Sequence, residues 1–176
     1  MTDRIKVKIN HHPVNYSCIE ILGGLFVWFT LMFIARAFHS TGLIIVSVAS
    51  LILIIAAGEF FSAINGCLSV YDGAIHFHYI KYEKSIPLSD ITEISYGTYT
   101  EYAGRYSLMR IALRIKTSDG EEHSFNDKID KEQMAASFDI NSKCNVPIIQ
   151  MYRFLAERLP DKAKGYVKSE GMGDML

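Results

Sequence analysis

The sequence predicts a membrane-embedded α-helical hairpin followed by an α+β soluble domain. Two uncharged apolar runs, 21–35 and 37–58, lie close together near the N-terminus. After them the pattern changes to short stretches of alternating apolar and polar residues, which is the period of a β-strand. An amphipathic stretch follows the strands. We therefore expect about six or seven short strands followed by a C-terminal helix.

Both apolar runs are long enough to cross a bilayer. A spanning helix needs about 20 residues at a rise of 1.5 Å each, and both runs qualify when Glu20 lies at an interface. The alternative is a buried hairpin in a soluble protein. A chain of 176 residues has little with which to cover two helices that are apolar on every face. We therefore predict a transmembrane hairpin over residues 18–60.

The triplet at 35–37, Ala-Arg-Ala, resembles a signal-peptide cleavage site. The first apolar run begins far from the N-terminus and a second spanning run follows at once, so we expect both helices to be retained. Their connection, 36–40, is short, which predicts antiparallel neighbours. Small residues that permit close packing are Gly23, Gly24, Ser47, Ser50 and Ala57.

The basic residues predict the orientation of the hairpin. Arg4, Lys6 and Lys8 precede the first helix, whereas the loop between the helices carries only Arg36. Basic residues favour the cytoplasmic side. The prediction is a multi-pass protein of the cell inner membrane, with a cytoplasmic N-terminal segment over 1–17 and a cytoplasmic C-terminal domain.

Alternation and turn residues place the strands of the soluble domain. We predict strands at 67–71, 74–81, 91–100, 107–116, 121–126 and 134–141. Asp72-Gly73 predicts a tight hairpin turn between the first two, and Pro87 predicts a bend. The stretch 107–116 alternates most cleanly. Its predicted inward residues are Met109, Ile111, Leu113 and Ile115, and its predicted outward residues are Arg110, Ala112, Arg114 and Lys116.

A helix is predicted to close the domain, which we place at 66–160. Asn145 is a suitable cap, Pro147 suits the first turn, and Pro160 ends the helix. One apolar stripe is formed by Ile148, Met151, Tyr152, Leu155 and Leu159, the pattern of a helix laid on a sheet. The polar, glycine-containing stretch 161–176 predicts a disordered tail.

Two stretches, LSVYDG at 68–73 and IPLSDITEI at 86–94, carry a resemblance to a known family. With the hairpin before them and the helix after, the chain resembles bacterial two-transmembrane-helix membrane proteins with a pleckstrin-homology-like (PH-like) domain. In that family a Pro-x-x-Asp-Ile segment opens a strand, as Pro87, Asp90 and Ile91 do here. The resemblance implies a curved antiparallel sheet or barrel of about six or seven strands, capped by the last helix and serving as a binding or assembly module.

His76 and His78 are the metal-ligand candidates because two imidazoles share one strand face. A third ligand would have to be His123 or Cys67. A polar strand face is the simpler explanation, so no metal and no cofactor are expected. The other cysteines, Cys18 and Cys144, complete neither a disulfide framework nor a CxxC site.

A tyrosine-rich loop is the candidate partner-binding segment. Rigid amphipathic rings beside an arginine and a glycine are typical of protein-recognition surfaces. The alternative is a hairpin whose rings pack on their own sheet. The candidate residues are Tyr96, Tyr99, Tyr102, Arg105 and Tyr106.

A basic strand face is the candidate site for lipid head groups. It consists of Arg110, Arg114 and Lys116, and such a face attracts anionic phospholipids. Glu121 and Glu122, on the expected partner strand, offer neutralisation across the strands instead.

Composition and motifs favour a binding protein. From residue 59 onward 14 Lys/Arg stand against 17 Asp/Glu, a net charge of −3, which does not suggest nucleic-acid binding. No phosphate-binding glycine loop, HExxH or GxSxG motif is present, so we expect no enzyme. The predicted function is a membrane-anchored module that docks a protein partner or assembles with itself. Alternatives are an immunity protein against a membrane-active toxin and a lipid head-group sensor.

Overall fold

The computed structural model describes residues 4–13, 16–39, 41–103, 106–137 and 145–167; for 16–21, 61–62, 102–103, 106, 134 and 136 it describes the backbone alone. The chain divides into two compact units. His12–Ile64 forms a helical unit, and Met1–His11 together with Asn65–Leu176 forms a unit of strands and helices. The helical unit is therefore inserted between two parts of the other unit.

The helical unit consists of α1 (Tyr16–Ala37) and α2 (Thr41–Ala63). Ser47 of α2 is fully buried, and its hydroxyl lies 2.9 Å from the Met32 sulfur. A Cβ added at Gly24 would lie 2.7 Å from Ile54 Cγ1, so glycine lets the helices approach closely there. These contacts confirm the predicted antiparallel pair. Gly23 takes no part in the packing, since nothing lies within 4 Å of a Cβ added there.

Much of the helical unit's surface is apolar and exposed. Its large exposed side chains are Leu22, Phe26, Val27, Phe29, Phe33, Ile34, Phe38, Ile44, Ile45, Val46, Val48, Ile52, Leu53, Ile55 and Phe60. Among the described residues one helix has the length and mean hydropathy of a membrane span, Thr41–Phe60, at 20 residues and 2.5. Leu22–Ala37 is a shorter apolar stretch. The prediction of two spans therefore stays a prediction.

The other unit contains two four-stranded sheets. Sheet 1 is antiparallel, with β1 (Ile5–Ile9), β2 (Gly66–Tyr71), β3 (Ala74–Tyr79) and β4 (Tyr82–Pro87) in chain order. Sheet 2 has the order β7-β6-β5-β8, from β5 (Ile91–Ala103), β6 (Tyr106–Thr117), β7 (Glu122–Lys128) and β8 (Ala163–Tyr166). The last strand, β8, runs parallel to β5.

This arrangement confirms the α+β class, but the described strands do not close into a barrel. The chain leaves sheet 1 at Pro87, which has no N–H for a further ladder bond. Leu88 N–H donates to the Gly73 carbonyl, and Asp90 N–H donates to the Pro87 carbonyl. This turn redirects the chain into sheet 2.

The predicted hairpin turn is confirmed. Asp72 and Gly73 join β2 to β3 with φ angles of 50° and 75°. Both angles are in the left-handed region, which glycine adopts at no steric cost and aspartate tolerates. The strand β4 was not predicted, because Ile86 is its one fully buried side chain and its other residues are polar or half-exposed.

The helix α3 (Lys131–Ser137) replaces part of the strand predicted at 134–141. Its start is fixed by a reciprocal cap. Gln133 N–H donates to the Asp130 carboxylate at 2.7 Å, and Asp130 N–H donates to the Gln133 side-chain oxygen at 3.0 Å. The strand prediction was wrong because it followed the alternation of Ala136 and the residues after it. Residues 138–141 lie outside the described part of the chain.

The closing helix α4 (Pro147–Arg158) is confirmed, with Pro147 in its first turn. Its apolar stripe is buried, since Ile148, Met151, Tyr152 and Leu155 are at most 2% exposed. This face contacts β1 of sheet 1 and β5, β6 and β7 of sheet 2. The predicted cap was wrong: Val146 is the N-cap residue, and the Asn145 side chain accepts a hydrogen bond from Gln150 instead.

In β6 the alternation is confirmed for Ile111, Leu113 and Ile115, which are fully buried. Ala112, predicted to face outward, is also fully buried. Both α3 and α4 contact this strand, which lies between β5 and β7.

Two predicted boundaries are corrected. The segment 1–17 contains β1, whose Val7 and Ile9 are buried in the domain core. The tail 161–176 contains β8, which is held by hydrogen bonds from Gly165 N–H to the Tyr152 hydroxyl at 2.7 Å and from Val167 N–H to the Tyr96 carbonyl at 2.8 Å. Residues 168–176 lie outside the described residues.

The end of β1 is tied to sheet 2. Asn10 N–H donates to the Asp127 carboxylate at 2.9 Å, and Asn126 N–H donates to the His11 ring at 3.3 Å. Asp127 is 8% exposed. Burial raises the pKa of the Asp127 carboxyl, although hydrogen bonds from Asn10 and Lys128 and the charge of Arg110 act in the opposite direction.

We predict that Asp127→Asn raises the free energy of unfolding at neutral pH. The folded state holds a proton on Asp127 more tightly than the unfolded state does, so this residue contributes more stability as the pH falls through the raised pKa. Asparagine keeps the Oδ1 acceptor and removes the buried charge. Thermal unfolding of the full chain in detergent at several pH values measures the difference. The variant's advantage should shrink toward about pH 4; a pH-independent difference would contradict this.

Candidate functional site

The β5–β6 hairpin extends beyond its neighbouring strands. Its pairing continues to Ala103 and Tyr106, but β8 pairs with β5 only as far as Tyr96, and β7 pairs with β6 only from Arg110. Residues 101–103 and 106–108, here called the ribbon, therefore pair with each other and have no third strand beside them among the described residues. A two-stranded ribbon is marginally stable alone and offers open edges to another chain.

An ion pair lies at the base of the ribbon. The Arg110 guanidinium donates to the Glu101 carboxylate, and Tyr99 is directly opposite Arg110. Burial raises the pKa of the Tyr99 hydroxyl, and the positive charge of Arg110 partly opposes this. Tyr99 is therefore a neutral hydroxyl at physiological pH, able to donate and to accept a hydrogen bond.

Tyr96 is a core residue, so it is not part of a recognition surface. Its side chain is 1% exposed, and its hydroxyl donates to the Ser137 carbonyl at 3.1 Å. Its ring packs against the rings of Tyr152 and Tyr166, with centroids 4.7 and 5.7 Å away. The tyrosine spacing alone did not distinguish this inward residue from its neighbours.

Of the other predicted recognition residues, Tyr102 and Tyr106 lie on the ribbon. Tyr102 is paired with Ser107, and Tyr106 is paired with Ala103, the last pair of this ladder. Arg105 lies outside the described residues. The backbone therefore brings two predicted tyrosines to the tip of the ribbon, and the role of the set stays a prediction.

The predicted basic face of β6 is neutralised in part. Arg110 is paired with Glu101, and Lys116 lies directly opposite Glu93 on one side and Glu122 on the other. The pairing of Lys116 with Glu122 is the cross-strand charge neutralisation that the sequence suggested. Arg114 lies between two serines, and its Nε atom is buried without a hydrogen-bond partner in the described part of the chain.

The two candidate histidines project from the outer face of sheet 1. His76 is opposite Ser69 and Ser85, and its ring stacks on Tyr71 with centroids 3.9 Å apart. His78 is opposite Cys67 and Glu83, and its Nδ1 atom lies 2.9 Å from the Glu83 carboxylate. An ionised carboxylate only accepts hydrogen bonds, so Nδ1 is the donor.

The structure separates His123 from the other candidate metal ligands. His123 lies on β7, where its Nδ1 accepts a hydrogen bond from the Lys84 ammonium at 2.9 Å. Burial lowers the pKa of His123, and the Lys84 charge lowers it further. Cys67 is a free thiol beside His78. Across the described residues, no three His, Cys, Asp or Glu side chains are arranged to hold a metal ion.

The sequence did not identify a groove of about 750 Å³ on the outer face of sheet 1. Arg4 and Lys6 line it beside Tyr71, His76 and His78. The strand was visible in the alternation of IKVKI at 5–9, but the basic residues were interpreted only as an orientation signal. Lys6 is directly opposite Ser69, which is opposite His76, so one row of side chains crosses three strands.

Comparison with family models, curated proteins and solved structures finds no match to this chain. The candidate surfaces are therefore the ribbon and the groove, both defined by the geometry of this chain alone.

Proposed function

We propose that this chain is a non-enzymatic, membrane-anchored module whose soluble domain docks a protein partner. The observation that carries the proposal is the exposed apolar surface of the helical unit. Phe26, Phe33 and Leu53 are 76%, 78% and 69% exposed. Soluble monomers rarely expose a continuous apolar surface of this extent, and a hydrocarbon environment removes it from water.

The dimensions of the two helices support a spanning hairpin. At 1.5 Å per residue, the 22 residues of α1 and the 23 of α2 each extend over more than the roughly 30 Å of a hydrocarbon core. All backbone groups within an α-helix are paired internally, as a bilayer requires. Both helices are apolar around their circumference, unlike α4 with its single buried stripe.

The pairing of β1 with β2 supports a topology with both ends of the hairpin on one side. Ile9 at the end of β1 is the partner of Gly66 at the start of β2. The chain leaves sheet 1 and returns to it at the same end of these strands. Two antiparallel spans meet this requirement, and a single span does not. The basic residues of β1 then favour the cytoplasmic side of the inner membrane.

The ribbon is the segment that we assign to partner binding. Its open edges and its tyrosines suit an extended segment of a partner protein, which can add main-chain hydrogen bonds to a strand edge. The interpretation of the soluble domain as PH-like rests on its resemblance in sequence, together with an antiparallel hairpin series and a closing helix.

Two aspartates in the middle of α2 should abolish membrane integration. Val48 and Ile52 are exposed by 52% and 63% near the centre of this helix, where one aspartate costs about 2.5–3.5 kcal/mol. We expect Val48→Asp/Ile52→Asp protein to be extracted from membranes by alkaline carbonate.

The matched control is Phe38→Asp/His39→Asp, which adds the same charges between the helices. This variant should remain in the membrane, because its charges stay hydrated at the interface. Equal extraction of both variants would contradict the proposed span, as would retention of the α2 variant.

Removing the rings at the tip of the ribbon should abolish partner binding. The measurement is the amount of partner protein that co-purifies from native membranes in mild detergent. We expect Tyr102→Ala/Tyr106→Ala protein to retain at most about a tenth of this companion, because aromatic residues dominate protein interfaces. The control Tyr71→Ala/Tyr82→Ala removes two rings from sheet 1 and should keep the companion. The assignment to the ribbon would be contradicted if only the control lost the companion, or if both variants kept it.

A further inference from the structure

The groove on sheet 1 concentrates positive charge on a domain that is neutral as a whole, since Met1–His11 and Asn65–Leu176 together carry 17 Lys/Arg and 17 Asp/Glu. Arg4 and Lys6 are both exposed, and neither forms an ion pair with a described residue. Glu83 is the acidic side chain of the groove, and its carboxylate is held by His78. Lys84 also borders the groove, but its ammonium is bound to His123 on the other sheet. Two unpaired cations therefore remain beside the histidines.

The groove also contains unused hydrogen-bonding capacity. The Nε2 atom of His76 is buried and has no hydrogen-bond partner in the described part of the chain. Leaving a buried polar atom unsatisfied is costly, so such an atom favours an arrangement in which a ligand oxygen or water reaches it. Ser85 lies directly opposite His76 and adds an exposed hydroxyl to the same row.

The size of the groove and its aromatic wall indicate a ligand larger than a simple ion. A volume of about 750 Å³ is within the range of small-molecule sites. The stacked rings of Tyr71 and His76 give the groove one flat, partly apolar surface. Arg4 and Lys6 line the same groove, and guanidinium and ammonium groups pair with phosphate oxygens.

We propose that this groove binds the phosphate group of a phosphomonoester, with Arg4 and Lys6 as the charged contacts and the row from Ser69 to Ser85 as the floor. A phosphate presents three strong acceptor oxygens and nearly two negative charges, which suits donors on three strands: Lys6 of β1, His76 of β3 and Ser85 of β4. The phosphate belongs either to a lipid head group or to a soluble ligand. This site is separate from the ribbon and does not depend on partner binding there.

The test is calorimetric titration of the full chain in neutral detergent micelles. Three ligands are compared: dihexanoyl phosphatidic acid, inorganic phosphate, and dihexanoyl phosphatidylcholine as a zwitterionic control. We expect saturable binding of phosphatidic acid, of inorganic phosphate or of both. Binding of phosphatidic acid alone identifies a lipid head group as the source, and comparable binding of inorganic phosphate identifies a soluble ligand.

Matched variants test the location of the site. Arg4→Ala/Lys6→Ala should weaken binding about tenfold, because two charge-assisted contacts are lost. Lys128→Ala/Lys164→Ala removes two positive charges from exposed positions of sheet 2 and should leave affinity within about twofold. Arg4→Lys/Lys6→Arg keeps both charges and should retain binding, which separates a lost contact from a misfolded strand.

Three results would overturn the proposal. The first is no saturable binding of either phosphate ligand. The second is equal binding of phosphatidylcholine and phosphatidic acid, which would indicate apolar partitioning. The third is equal weakening by the two alanine double variants, which would indicate attraction to overall charge.

Discussion

The pairing of β1 with β2 is the constraint on which the rest of the structure depends. These strands are neighbours in sheet 1 but are separated in the sequence by the whole helical unit. The register from Ile5–Val70 to Ile9–Gly66 therefore closes a long insertion, at an entropic cost that grows only slowly with its length. The buried side chains of Val7 and Ile9, and the contact of α4 with β1, offset that cost. Because the insertion begins and ends beside Ile9 and Gly66, an even number of spans is the simplest arrangement for a chain that crosses a bilayer.

Short-range sequence signals were sufficient to predict the elements that such signals define. Alternation identified β3, β5 and β6, and Asp72-Gly73 identified the turn between β2 and β3. The apolar stripe and the two prolines identified α4. The missed elements depend on distant partners: β8 has four residues and is a strand only because it lies along β5, about 70 residues earlier. At α3 two local signals competed, and the reciprocal cap between Asp130 and Gln133 outweighed the alternation that follows it.

The residue types of the candidate surfaces could be predicted from the sequence, but the direction of their side chains could not. Tyr96 belongs to the same tyrosine-rich stretch as Tyr99, yet its ring lies in the core against α4, which no spacing rule within β5 reveals. Two of the three cations on β6 face acidic residues, whereas the unpaired cations of the groove are Arg4, just before β1, and Lys6 on β1. The sequence shows Arg4 and Lys6 as basic residues before the first helix. Only the structure places them in one groove with His76 and His78. A net charge of −3 from residue 59 onward did not reveal a basic groove whose cations precede the helical unit.

Cysteine labelling in intact cells tests the membrane topology most directly. With the three native cysteines replaced by serine, a cysteine is introduced either at Phe38, between the helices, or at Glu122, exposed on β7. A membrane-impermeant maleimide should label Phe38→Cys in intact cells and Glu122→Cys only after the inner membrane is permeabilised. Labelling of Glu122→Cys without permeabilisation would contradict the proposed cytoplasmic location of the soluble domain. If both positions react only after permeabilisation, the hairpin does not span the membrane.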